Sequence, residues 1–118
     1  MKRIKNDQLT NLISALKKLS LEKKVALWKQ IAVELEKPTR SRREVNLYKI
    51  EANARDDEIV IVPGKVLSNG VVQKAVKVAA LSFSEGAKEK IISAKGQILS
   101  IQELMKQNPE GKKVRIMG

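Results

Sequence analysis

Residues 59–62 read Ile-Val-Ile-Val, four β-branched apolar residues without a break. β-Branched side chains favour pleated backbone, and a run with no polar alternation offers no face to water, so this segment reads as a strand buried on both faces. Pro63 and Gly64 then close it, since proline cannot donate to a sheet ladder. The flanking sequence offers partners. "EVNLYKI", 44–50, alternates Val45 and Leu47 against Asn46 and Tyr48, a strand pattern. Asn69-Gly70 stands between Val66-Leu67 and Val71-Val72, and both residue types accept the positive φ of a tight turn, so a hairpin is expected there. Further strands are expected in 75–83, at 98–100 and through Val114 and Ile116.

The period changes to helical at both ends. Leu9, Leu12, Ile13, Leu16 and Leu19 share one face of a helix over 7–20, capped by Asn6 or Asp7. Val25, Trp28, Ile31 or Ala32, and Leu35 mark a second helix over 22–36, stopped by Pro38. The two form a helical hairpin, an appendage to a mixed core. In the last third, Ser84, or Ser82 with Glu85 as a capping box, starts a helix that Gly96 ends. Ser100 and Glu103 form a capping box before a short helix ended by Asn108-Pro109. The fold class is therefore α/β, with 1–118 read as one domain: helices in 1–37, a mixed core in 38–118.

Charge decides the kind of partner. Lys and Arg number 24 against 13 Asp and Glu, a net +11. Residues 1–56 hold 14 basic and 7 acidic groups and residues 57–118 hold 10 and 6, so the excess is spread along the chain and not confined to a tail. Its densest cluster is Lys37, Arg40, Arg42 and Arg43, between the second helix and the first strand. Arginine forks match phosphate oxygens in pairs and stay charged, which suits a loop that reads a nucleic-acid backbone. A solvated surface run would have the same composition, but the cluster recurs in Lys2, Arg3 and Lys5, in Lys17, Lys18, Lys23 and Lys24, in Lys65 after the Pro-Gly turn, and in Lys112, Lys113 and Arg115. Several patches on a small protein imply many phosphates at once. Alternation places Lys113 and Arg115 on one side of the last strand, Val114 and Ile116 on the other.

Other chemistries lose their reagents. Cysteine and histidine are both absent, which removes the usual nucleophile, the usual general base and most transition-metal ligands. Asp56-Asp57-Glu58 falls in a turn without a second carboxylate motif. Lys65 lacks the glycine and hydroxyl pattern of a phosphate-binding loop. No cofactor, metal or small-molecule substrate is expected, and no apolar run approaches the roughly 18 residues of a membrane span. Trp28, Tyr48 and Phe83 are the whole aromatic set, with Trp28 and Phe83 assigned to the core and Tyr48 to a half-buried strand position beside the arginines. With so few rings, recognition should proceed by shape and phosphate contact more than by stacking on bases. The same charge permits a basic DNA-binding or chromatin protein, which would need a groove-reading helix.

Four phrases, "LEKPTRSRREVNLYKI", "IVPGKVLSNG", "VAALSFSEGAKEKI" and "NPEGKKVRIMG", stand in an order and spacing that closely resembles the archaeal and eukaryotic large-subunit ribosomal protein family L-eighteen-e, related to the bacterial L-fifteen family. The resemblance spans essentially the whole chain, and its length resembles the archaeal form. It implies a cytoplasmic, non-catalytic constituent of the large ribosomal subunit that binds large-subunit rRNA beside neighbouring ribosomal proteins. It further implies an irregular superhelix of β-β-α turns with the N-terminal helices attached. Lys37, Arg40, Arg42, Arg43, Lys65, Lys112, Lys113, Arg115, Lys2, Arg3 and Lys5 are the expected RNA contacts; that role is inferred from their charge.

Overall fold

A computed structural model describes residues 6–37, 43–55 and 58–117. Two helices open it, α1 (Asn6–Lys23) and α2 (Ala26–Glu36). Strand β1 (Arg43–Asn46) runs straight into helix α3 (Leu47–Asn53), followed by β2 (Ile59–Leu67) and β3 (Lys77–Phe83). Helix α4 (Glu85–Ser93), β4 (Gln97–Ser100), α5 (Ile101–Gln107) and β5 (Val114–Ile116) complete the order. The mixed α/β class expected from sequence is what is found.

Every strand pairing is parallel, and β2 is the hub. It pairs with β3 along one side, with β4 beyond β3. Its other side is shared, because β5 pairs with Ile59–Ile61 and β1 with Gly64–Leu67. The strand therefore does not stop at Pro63-Gly64. Pro63 lies in the interval where β5 has ended and β1 has not begun, and where the pairing with β3 shifts register between Val62 and Lys65. No ladder partner asks for its missing N–H there, and this is why a proline is accepted inside a central strand.

The second departure is the connection after β2. Lys77 pairs with Ile59, so β3 begins level with the start of β2, and the chain must travel back the length of that strand, about 26 Å. Nine residues lie between Leu67 and Lys77, ten residue steps with a reach of about 33–36 Å when fully extended. No hairpin forms and the margin is too small for a crossover helix of ordinary length, so residues 68–76 cross the sheet as a non-helical strap. Asn69 and Gly70 turn the chain onto α3: the Tyr48 N–H donates to the Asn69 carbonyl at 3.0 Å. Gly70 has φ +116, and a Cβ on it would sit 2.5 Å from the Tyr48 nitrogen. Lys90 Nζ donates to the Ser68 and Gly70 carbonyls at 2.7 and 2.8 Å, and Lys74 Nζ to those of Glu51 and Ala54 at 2.9 and 3.2 Å.

The sheet separates two cores. On one face α3 and α4 flank the strap, and Leu47, Ile50, Ala87, Ile91 and Val76 pack on Val60, Val62, Val66 and Val78. On the other face α1, α2 and α5 place Leu12, Leu16, Trp28, Ile31, Leu35 and Leu104 over Ile61, Ala79 and Leu99. The N-terminal helices thus share a core with the sheet and are no appendage. Their hairpin turns later than the periodicity suggested, at Lys24, which has φ 55. "EVNLYKI" divides at Asn46, because burying both Leu47 and Ile50 against the sheet needs the helical i, i+3 spacing that begins there.

The caps of α4 and α5 follow the sequence closely. Ser84 caps α4 by accepting from the Ala87 N–H at 3.2 Å, in preference to Ser82. Ser100 and Glu103 form the expected reciprocal box on α5. Helix α4 ends on left-handed Lys95 (φ 62), just before Gly96. Gly86, a poor residue for a first helical turn, is where α4 presses on the strap: a Cβ there would lie 2.9 Å from the Ser68 Cβ.

Gly70→Ala should therefore cost about 2–3 kcal/mol, combining a left-handed backbone penalty with backbone collision. Urea unfolding checks this, and the expected result is a lower midpoint at unchanged slope.

Candidate nucleic-acid interface

The basic residues singled out from sequence are held in different ways. Lys2, Arg3, Lys5, Arg40 and Arg42 lie outside the described residues, as do Asp56 and Asp57. Arg43 opens β1, its backbone opposite Gly64. Lys37 follows the last turn of α2 and folds back, its Nζ 3.0 Å from an oxygen of Glu34, whose side chain is only 11% exposed. Desolvating a carboxylate is costly unless a cation stays beside it, so Lys37 is committed to the fold at least in part.

The C-terminal strip divides in the same manner. Arg115 donates from a terminal nitrogen to the Asn53 carbonyl at 2.9 Å, and its Nε lies 3.7 Å from a Glu58 oxygen. It ties the end of α3 to the entrance of β2. Lys113 is not on the strand face with Arg115: it precedes β5 in left-handed backbone, φ 56, and its carbonyl accepts the Ile59 N–H at 2.9 Å. Lys112 stands out to solvent, 77% exposed and 3.1 Å from Glu110.

The loop bearing Lys112 and Lys113 is built, not loose. The Asn108 side chain donates to the Lys112 carbonyl at 2.8 Å and accepts the Lys112 N–H at 3.2 Å, closing a compact turn. The Trp28 indole N–H donates to the Pro109 carbonyl at 2.8 Å, mooring that turn to fully buried Trp28. Two cations are in this way presented from a preorganised backbone, which lowers the ordering cost of any contact they make.

Lys65 belongs to a separate location. It lies near the carboxyl end of β2, opposite Ser82 of β3 and Glu44 of β1, while Lys113 and β5 flank the amino end of the same strand. Ile59 and Lys65 are six residues apart on one strand, about 20 Å. No single small anion bridges that distance, but separate phosphates of one polymer do. Among the described residues no group of three or more Asp, Glu, His or Cys is placed to hold a metal ion, and no helix is long and apolar enough to cross a membrane.

Two placements differ from expectation or went unforeseen. Tyr48 stands on α3 with 56% exposure and not on a strand. Lys88, on the first turns of α4, joins Lys65 around an open cleft; the serine-capped helices directly following 77–83 and 97–100 were its only trace in the sequence.

A parallel sheet clothed on both faces, with cations at its two ends and at the junctions between elements, is a scaffold that displays charge. Residues 2–118 match the family described as "Ribosomal protein 60S L18 and 50S L18e", and the chain belongs to that family. It is 51% identical over 112 residues to the large ribosomal subunit protein eL18 of Methanoregula boonei, covering 95% of this chain and 93% of that one. Identity to the proteins of the same name from Archaeoglobus fulgidus and Haloarcula marismortui is 49% and 46%, each covering 95% of this chain and 96% of the relative.

The two kinds of lysine separate experimentally. Lys37→Ala should lower the stability of the free protein by about 1–2 kcal/mol, between values for exposed and buried pairs, while Lys112→Ala should change it by less than about 0.5 kcal/mol. Equilibrium urea unfolding without RNA measures both.

Proposed function

We propose that this protein is a structural constituent of the large ribosomal subunit in the cytoplasm, binding large-subunit rRNA and neighbouring ribosomal proteins and carrying out no reaction of its own. The observation that carries the reading is family membership over residues 2–118 in a chain of net charge +11. Lys112 and Lys113 together meet one stretch of phosphate backbone and Lys65 another, joined by Arg40, Arg42 and Arg43 and by Lys2, Arg3 and Lys5. Lys37 and Arg115 add their charge while holding α2 and the α3–β2 junction. Binding releases counterions from the RNA, and because the sheet fixes the spacing of the cations, the RNA segments they engage are held at fixed separation.

With about six to ten phosphates engaged, affinity for large-subunit rRNA should fall by about 10³ to 10⁵ between 50 and 200 mM salt, on the duplex scale. Lys112→Gln and Lys113→Gln should each reduce the slope of log affinity against log salt by about 1. Filter binding over a salt series measures this. A flat response contradicts the proposal, and equal affinity for duplex DNA would favour a DNA-binding protein.

A further inference from the structure

Strands β3 and β4 hand the chain to opposite sides of the sheet. Helix α4 leaves β3 for the core of Ala87 and Ile91, and α5 leaves β4 for the core of Ile101 and Leu104. Where adjacent parallel strands send their connections to opposite faces, a crevice opens beyond their carboxyl ends, the usual ligand position in open α/β sheets. Here it is a cleft of about 860 Å³, within the size range of small-ligand sites.

Its lining is two-sided in character. Leu81, Phe83 and Ile98 give it apolar surface, and Lys65 and Lys88 supply two cations. Glu85 and Glu103 also line it, but neither competes strongly for an incoming anion. Glu103 already accepts the Ser100 N–H at 2.9 Å within the capping box. Glu85 is 87% exposed, 3.7 Å from the Lys88 ammonium, and able to swing into solvent. Ser84 and Ser100 are both occupied as caps, so the rim is stiff.

A bare phosphate would leave the apolar surface unused, and an apolar ligand would leave the lysines unused. A nucleotide uses both. We propose that the cleft receives one unpaired nucleotide of the bound RNA, its phosphate held by Lys65 and Lys88 and its base lying against Phe83 and Ile98, which pack on the same side of the sheet. The proposal rests on the RNA-binding reading above and deepens it. Splayed bases of loops and bulges are the part of folded RNA that enters protein pockets, and packing on an aromatic ring tolerates any base.

The test uses the full chain, large-subunit rRNA and three variants: Lys88→Gln, Lys65→Gln with Lys88→Gln, and Phe83→Leu, which keeps the site apolar. Affinity is measured by filter binding, base accessibility by dimethyl sulfate and carbodiimide probing, and folding by thermal melting. Lys88 is on the surface, so its single variant remains informative even if another fails to fold. The expected result is about tenfold weaker binding for the double variant and for Phe83→Leu. One unpaired base protected by the parent protein should regain reactivity in all three variants, with the remaining footprint intact. Variants that melt like the parent and protect every base as it does would overturn the cleft assignment and leave RNA binding standing. Displacement of the RNA base by free nucleoside 5′-monophosphates at equal affinity would also overturn it, making the cleft a free-nucleotide site. A parent protein that does not bind the rRNA at all removes the underlying reading, and the cleft proposal with it.

Discussion

Nine residues that must cover about three-quarters of their extended reach set the terms for the rest of this structure. Between Leu67 and Lys77 the chain has to return from one end of the central strand to the other. Parallel crossovers ordinarily contain a helix, and this one has no length for it. The face it crosses is therefore closed by a thin strap wedged between α3 and α4. The strap's backbone polar groups must find partners without a helix to supply them. Lys90 Nζ donates to the Ser68 and Gly70 carbonyls and the Glu51 carboxylate accepts the Lys74 N–H, while Gly70 and Gly86 allow the close approach that makes them reachable.

This divides the chain's positive charge into two populations. Lys74, Lys90, Lys37 and Arg115 turn inward or sideways onto carbonyls and carboxylates and join elements together. Lys112 and Lys88 stay at the surface, carried by a turn moored to Trp28 and by a serine-capped helix. Under the proposed function, a folded polyanion would meet the second group as a fixed pattern. The first group holds the elements that carry the pattern, and about 20 Å of continuous strand separates Ile59 from Lys65. Net charge alone does not distinguish the populations; what separates them is whether the partner belongs to the same surface turn, as for Lys112 and Lys88, or is a carbonyl of another element or a shielded carboxylate.

Much of the architecture was legible because local chemistry is self-contained. Serine caps, the Ser100–Glu103 box and the apolar stripes of α1 and α2 depend on neighbours within a few residues, and all are present. What misled was chemistry with two possible outcomes. Asn69-Gly70 can turn a hairpin or simply redirect a chain, and only the parallel register of β3 decides. Pro63 ends most strands, and it survives here because two short strands share one edge of β2 and leave a gap at that point. The interface was less legible than the fold. Lys112 reads correctly as a displayed cation, but nothing near Lys37 or Arg115 in sequence reveals Glu34 shielded from solvent or the Asn53 carbonyl 62 residues away. The cleft is a product of topology, assembled from three strand ends that the sequence keeps far apart.

The central claim is that a rigid sheet holds separate RNA segments at its two ends, and directed hydroxyl-radical probing tests it most directly. The chain contains no cysteine, so Glu110→Cys beside Lys112 and Glu85→Cys at the cleft each give a single attachment point for an iron chelate. Bound to large-subunit rRNA, the two tethers should cut two distinct RNA segments, each set reproducible and absent with untethered protein. Cleavage of one common segment from both positions, or none above background, would contradict the account.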